Sequence, residues 1–258
     1  MHGEETKVMY KGNDFTEFDA VYLRHSDEEV MYAEQLTEIL NSAGVETHMG
    51  NDTFGIMTNK FYSMKILAEN KLNIPNSVYT ISPDAAVDMA KRLGYPVIMK
   101  TIRGGGGQGV MRATSESELK PVMDTMKAFE QEICLQEYLE HQGEDNRVIV
   151  IGDKVIGYRR SSSDEEEWRS NIGAGGERQK IEEEQELKEV AKKAAQSIGA
   201  DICGCDIIEH EGEYYVLELN AAAFGLGEKI NEITGEDIPL AMVEWLHEQA
   251  LSTGESEG

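Results

Sequence analysis

The residues with the clearest chemical potential lie near the C-terminus, where CGCDIIEH and EYYVLELN set Asp206, Glu218 and Asn220 among apolar neighbours. Strand side chains repeat every second residue, so Glu218 and Asn220 share a face, and pairing of the two segments as a hairpin would bring Asp206 to it. Three hard oxygen donors with no Cys or His set beside them suit magnesium or manganese better than zinc. A solvent-facing polar strip on an antiparallel sheet would be written the same way. Val216, Leu217 and Leu219 around the acids, and AAAFG after them, are an odd setting for charges that are merely solvated.

The second cluster is the run GGGGQG from Gly104 to Gly109, which contains Gly105, Gly106 and Gly107. It satisfies GxGxxG, as any glycine run does, but a dinucleotide fingerprint needs a helix straight after it and VMRA reads as a strand. No GKS or GKT follows, which disfavours a P-loop. What remains is either a glycine hairpin whose backbone amides can approach phosphate oxygens closely, or an ordinary surface turn. Lys100 ends the preceding strand and could project toward such phosphates. Lys60 opens an earlier helix, where a cation opposes the helix dipole unless an anion compensates. Either lysine alone could equally be a solvated surface charge.

The elements that must position these residues can be read from periodicity. DFTEFDAVYLR reads as a turn into a strand, and EEVMYAEQLTEILNSAG as an amphipathic helix ending at Gly44, the end of an α/β unit. KFYSMKILAENKL is helical; SVYTI is a short strand; a helix runs from an N-cap at Ser82 to Leu93; YPVIMK is a strand. Beyond the glycines come the strand GVMRA and a helix opened by SESE, where Ser115 and Glu118 have capping-box spacing. Strands follow at EICLQEYL, RVIVIG and KVIGYRR, with Gly152-Asp153 as a hairpin turn. The polar stretch SSSDEEEWRSNIGAGGERQK is too long for a simple connector and is expected to be a functional loop. A helix over EEEQELKEVAKKAAQSIG, the acidic strand pair and a helix over DIPLAMVEWLHEQA complete the chain, and LSTGESEG is expected to fray.

A chain of 258 residues that is 40% hydrophobic can bury a sizeable core, as one large domain or two small ones. The net charge of -25, from 49 acidic against 24 basic side chains, disfavours attraction to nucleic acid or to an anionic membrane. It fits a halophilic source or an ordinary acidic cytosolic protein. No apolar run approaches the ~18–20 residues that span a bilayer, and MHGEETKVMY lacks the apolar stretch of a signal peptide, so the expected location is the cytoplasm. Cys134, Cys203 and Cys205 contain no CxxC pair, which argues against a disulfide framework or a structural zinc site; Cys203 and Cys205 read as buried small hydrophobes.

Lys60, Lys100, the glycine run, QEYL, ED-N-R, WRSN and D…E-L-N stand in one order, and that order resembles the ATP-grasp ligases of the RimK type from about Phe18 to Glu248. The resemblance implies an α+β ATP-grasp fold in which two α/β subdomains clamp ATP. Residues 1–58 would be a truncated pre-ATP-grasp α/β region and residues 59–250 the ATP-grasp domain. The latter would divide into 59–137, which includes the glycine-loop subdomain, and a metal-binding subdomain over 138–250, with 251–258 as a tail. By the same resemblance, Lys60 and Lys100 contact the ATP phosphates and Gly105, Gly106 and Gly107 close over them. Gln136, Glu137 and Tyr138 lie along the adenine, Asp145 meets the ribose, and Asn171 also belongs to the nucleotide-binding set. Asp206, Glu218 and Asn220 coordinate Mg²⁺, with Mn²⁺ as an alternative. Arg147 and Arg169 supply cationic contacts to the reacting oxygens, since guanidinium suits phosphate and carboxylate.

The implied reaction joins a carboxylate to an amine through an acylphosphate, releasing ADP and phosphate. Glutamate is the expected amino acid, and a small molecule or a protein C-terminus the expected acceptor. A lysine- or arginine-biosynthesis ligase acting on a carrier protein, a nucleotide binder without ligase activity and an α/β binding module without ATP stand as alternatives. Homo-oligomers are common in the family. Arg159 and Arg160 could be surface charges or site residues, and the six histidines, scattered in sequence, need no catalytic role. In two places the chain departs from the family. NAAAFG stands where the family usually has a Ser-Pro-Gly turn after the asparagine, and only 59 residues precede Lys60, so the first βαβ portion is expected to be absent.

Overall fold

The structure, a computed structural model, describes residues 6–26, 29–102, 109–162, 177–181, 184–221 and 228–255. A leading unit opens with the small hairpin β1 (Met9–Tyr10) and β2 (Asn13–Asp14). It continues through β3 (Ala20–Val21), α1 (Val30–Ser42) and β4 (Glu46–Thr47), and β3 and β4 pair in parallel. A βαβ connection is thus present in residues 20–47. Helix α1 stops before Gly44, whose φ of +81° is a backbone conformation glycine adopts without strain. Two helices follow, α2 (Asn51–Met57) and α3 (Lys60–Glu69).

The middle of the chain builds a four-stranded antiparallel sheet. Its elements are β5 (Ser77–Thr80), α4 (Pro83–Leu93), β6 (Val97–Thr101), β7 (Val110–Ala113), α5 (Glu116–Ala128) and β8 (Ile133–Glu137), with strand order β5-β8-β6-β7. Ser82 caps α4 as its sequence indicates, accepting from the Ala85 N–H. The capping-box reading at α5 is corrected: Glu118 accepts from the N–H and Oγ1 of Thr114 at 2.7 and 2.9 Å, while Ser115 makes no cap bond and pairs with Ser117. The carboxylate reaches one residue further back because the Thr114 hydroxyl offers a second donor there. Alternation along β6 divides the sheet's faces. Val97 and Met99 pack with Ala86, Ala90, Leu119 and Met123 of α4 and α5, which leaves Ile98 and Lys100 on the opposite face.

The last part is a five-stranded antiparallel sheet of order β11-β10-β9-β12-β13. Its strands and covering helices are β9 (Glu144–Ile151), β10 (Lys154–Ser161), β11 (Glu177–Lys180), α6 (Gln185–Ser197), β12 (Ile202–His210), β13 (Glu213–Asn220), α7 (Glu228–Thr234) and α8 (Ile238–Glu255). Val148, Val150, Cys203, Cys205 and Ile207 form one apolar face, buried against Leu187, Ala191, Ala194 and Ala195 of α6 and against Met64 and Leu67 of α3. Ile149, Ile151 and Ile202, on the other face, pack with Ile230 of α7 and Ile238 and Met242 of α8. The expected functional loop is bounded by β10 and by β11, a strand not foreseen, and residues 163–176 lie outside the described residues. Residues 251–255 of the expected tail continue α8, and residues 256–258 lie outside the described residues.

Candidate active site

The site is a row of side chains across three neighbouring strands. Arg147 on β9, Asp206 on β12 and Glu218 on β13 are direct register partners and so project from one face. Asn220, two residues beyond Glu218, lies opposite Gly204, which carries no side chain to fill the space beside Asp206. A register shift between Asp206 and Ile207 lets the extra residue Leu217 be accommodated while Glu218 and Asn220 stay on the face of Asp206.

Asp206 is 6% exposed and ion-paired twice, to Arg147 Nε at 3.0 Å and to Arg160 at 3.0 Å. Burial alone would push its carboxyl up, and Arg147 and Arg160 more than offset this, leaving it below its ordinary value. Arg160 also grips Asp145 through two nitrogens, one of them Nε at 2.7 Å, and these two carboxylates outweigh burial to raise the guanidinium pKa. Burial pushes Asp145 up against the opposing pull of Arg160. The carboxylate expected to meet a ribose is therefore 3% exposed and held by an arginine.

Two lysines approach from elsewhere. Asn59 caps α3, accepting from the N–H groups of Phe61 and Tyr62, and sets Lys60 at the first helical position. The anion this placement calls for is Glu218, whose Oε1 lies 3.3 Å from Lys60 Nζ. The Lys60 backbone is tied to the smaller sheet instead: its N–H donates to the Ile102 carbonyl and its carbonyl accepts from the Tyr79 hydroxyl. Lys100 stands on β6 opposite Cys134, and the surrounding protein holds its ammonium below the usual pKa while Glu218 opposes that shift.

The remaining expected residues fall as follows. Gln136 is buried on β8 and donates to Ser77 Oγ at 2.9 Å. Glu137 accepts from the backbone and side-chain nitrogens of Asn76 at 2.7 and 3.0 Å. Tyr138 has the Arg112 guanidinium over its ring at 4.8 Å. Gly105, Gly106, Gly107, Arg169 and Asn171 lie outside the described residues. Strand alternation separates the two arginines left open by the sequence. Arg160 reaches Asp206, whereas Arg159, on the other face, joins Asn146 and Glu184. The clue in the sequence was that Arg160 has the strand parity of Tyr158, a residue of the packed face.

Histidines scattered in sequence also meet. His25, after β3, and His48, after β4, are 9% and 0% exposed, and His48 has His25 and the Ala221 carbonyl as its polar neighbours. No spacing rule in the sequence joins them; only the parallel pairing of β3 and β4 does.

The donor set suits a hard divalent cation: two carboxylates face each other across paired strands, and an amide residue follows on the same face. Among the described residues no ready-made cluster of three His, Cys, Asp or Glu ligands exists, and the carboxylates are neutralised by arginine and lysine. Also among the described residues, no helix is long and apolar enough to cross a membrane.

Residues 57–246 match the family model described as RimK-like ATP-grasp domain. The probable alpha-L-glutamate ligase of Citrobacter koseri is 30% identical over 249 residues, which cover 95% of this chain and 82% of that protein. The ribosomal protein bS6–L-glutamate ligase of Escherichia fergusonii is likewise 30% identical, over 95% of this chain and 82% of its own length. Among solved structures, the D-alanine–D-alanine ligase of Bacillus anthracis shares the fold with a TM-score of 0.71 at 22% identity, covering 94% of this chain and 83% of that one. The RimK domain protein ATP-grasp of Sphaerobacter thermophilus does so at 0.68 and 15% identity, covering 89% and 81%. By the extent of the family match and the identity to these relatives, the chain belongs to the RimK-like ATP-grasp family of ATP-dependent carbon–nitrogen ligases.

Proposed function

We propose that the chain adds the amino group of glutamate to a carboxylate acceptor through an acylphosphate, with ATP as the phosphoryl donor. The observation that carries this reading is the row Arg147–Asp206–Glu218 with Lys60 against its end, a concentration of cations around two opposed carboxylates. A carboxylate is a poor electrophile. Transfer of the γ-phosphoryl group to its oxygen releases ADP and creates a good leaving group. Attack of the amine nitrogen on the carbonyl carbon then forms the C–N bond and expels phosphate.

The chain's own contribution is positioning and charge neutralisation. Lys60 and Lys100 would lie along the phosphates, and Lys100 suits this because an anion restores the charged state that its surroundings disfavour. Arg147 keeps Nε against Asp206 and has a buried Nη1 without a hydrogen bond among the described residues, a donor available to phosphate or acceptor oxygens. Asp206, Glu218 and Asn220 would hold magnesium, which when bound draws charge from the phosphate oxygens. Gln136, Glu137, Tyr138 and Asp145 are carried into the nucleotide subsite by resemblance, as are Gly105, Gly106, Gly107 and Asn171, while Arg169 is carried over as a second cationic contact to the reacting oxygens. The acceptor is a small molecule or a protein C-terminus, and the relative named for ribosomal protein bS6 supports a protein acceptor.

Titration calorimetry tests the first half of the reading, with ATP binding expected only when Mg²⁺ is present. Mass spectrometry of cell extract incubated with ATP and labelled glutamate tests the second by revealing the acceptor. Glu218→Gln is expected to lower turnover at least ~100-fold with the fold retained, because Glu218 is only partly buried. Normal turnover in that variant removes Glu218 from the site. Asp206→Ala is a poorer probe, since it strands two buried guanidinium groups.

A further inference from the structure

His25 and His48 are unused by the reaction as described so far, and their surroundings are unusual. Nε2 of His25 and both ring nitrogens of His48 are buried without a hydrogen bond among the described residues. Buried polar atoms are nearly always paired, and while the Ala221 carbonyl lies beside His48, Nε2 of His25 still calls for a partner. The rings sit just past the carboxyl ends of the parallel strands β3 and β4, the side of an α/β unit where ligands bind. His48 also abuts Ala221, the residue after Asn220, where the sequence departs from the family's usual turn.

The tautomer of His25 follows from its neighbours. Its Nδ1 lies 3.1 Å from the Ser26 carbonyl, which can only accept, so Nδ1 carries the proton and Nε2 of the neutral ring presents a lone pair. Glu29 accepts from the N–H and Oγ of Ser26 at 3.0 and 2.9 Å, fixing the residue that orients the ring. Tyr22, tilted against His48 with ring centroids 4.3 Å apart, is pushed up to about 12 by burial and stays neutral. A lone pair at His25, and neutral rings beside it, suit a group that brings protons.

We propose that His25 and His48 receive the amino group of the incoming amino acid, and that Nε2 of His25 takes the proton this group must lose before it attacks. The inference rests on the ligase reading above. The ammonium gives one proton to His25, and its freed lone pair forms the C–N bond to the acyl carbon. The C–O bond to phosphate breaks with its electron pair leaving on phosphate, which takes the second nitrogen proton as the amide forms.

Hydroxylamine separates this step from the rest, because it is already uncharged at neutral pH and traps an acylphosphate as a hydroxamate. The full chain is incubated with Mg-ATP and the dipeptide Glu-Glu as acceptor, with either glutamate or hydroxylamine as nucleophile. In His25→Asn, which keeps a donor for the Ser26 carbonyl, glutamate addition is expected to fall by about 100-fold or more while hydroxamate formation stays within about threefold. His25→Gln repeats the comparison in case the shorter side chain disturbs packing against Phe54, and Mg-ATP binding checks the fold of both. Retained glutamate addition, or equal loss with both nucleophiles, overturns the proposal and leaves the ligase reading standing. Wild-type protein that makes neither product, with Glu-Glu or with the acceptor that labelled glutamate reveals in cell extract, overturns the ligase reading and the proposal together.

Discussion

Arg160 carries more of the site than its place in the sequence indicates. It is the shared counter-ion of Asp145 and Asp206, both buried, and removing it leaves two carboxylates with Arg147 as their one close guanidinium among the described residues. Breaking such an arrangement costs about 3–5 kcal/mol. Arg160→Met is therefore expected to lower the urea midpoint strongly, and Arg159→Met much less, because the Arg159–Glu184 pair is about a third exposed. His48 gives a pH signature. Burial, with His25 adding to it, pushes its pKa from 6.5 down to about 4, so between those values the unfolded chain takes up a proton that the fold refuses. This contribution to stability is intact above pH 6.5 and is lost as pH falls toward 4, by at most about 1.4 kcal/mol per pH unit. Urea midpoints at pH 7 and pH 5 should converge for His48→Leu relative to wild type. The acids of the site were legible in the sequence because strand alternation is a local rule. The histidine pair was not, since it depends on which strands lie side by side.

At the scale of elements, most strands and helices follow from periodicity and turn chemistry, and the hairpin at Gly152 is a clear instance. Its φ is +55°, and a Cβ there would lie 2.6 Å from Trp245 Nε1, so both backbone and packing require glycine. Gly152→Ala is expected to cost about 1–3 kcal/mol in urea unfolding while leaving nucleotide affinity unchanged, because α8 and this turn stand apart from the lysines. Asn59→Ala should behave differently. Losing the cap of α3 costs about 1 kcal/mol and loosens the turn that presents Lys60, so calorimetry should show weaker Mg-ATP binding as well. What periodicity missed were short pieces, namely the two-residue strands of the leading hairpin, β4, α2, α7 and β11. Segments of that length carry too few residues to show a period, and tertiary packing decides them.

For the whole molecule, the acidic excess is the dominant long-range force. A net charge of -25 opposes compaction, and salt shortens its reach from about 10 Å at 0.1 M to about 3 Å at 1 M. The melting temperature is expected to rise over that range, and a flat or falling profile would argue that the charges are already balanced within the fold. The structure has a leading unit and two larger sheets, and the expected motifs are spread over them in sequence order. How the sheets are joined was not legible in the sequence, and Lys60 is the place to see it. Its amide belongs to one sheet while its ammonium answers to a carboxylate of the other. Deuterium uptake at that single amide should therefore time the moments when the two sheets part. A bound nucleotide would slow it in proportion to occupancy, giving an affinity scale that needs neither turnover nor a known acceptor.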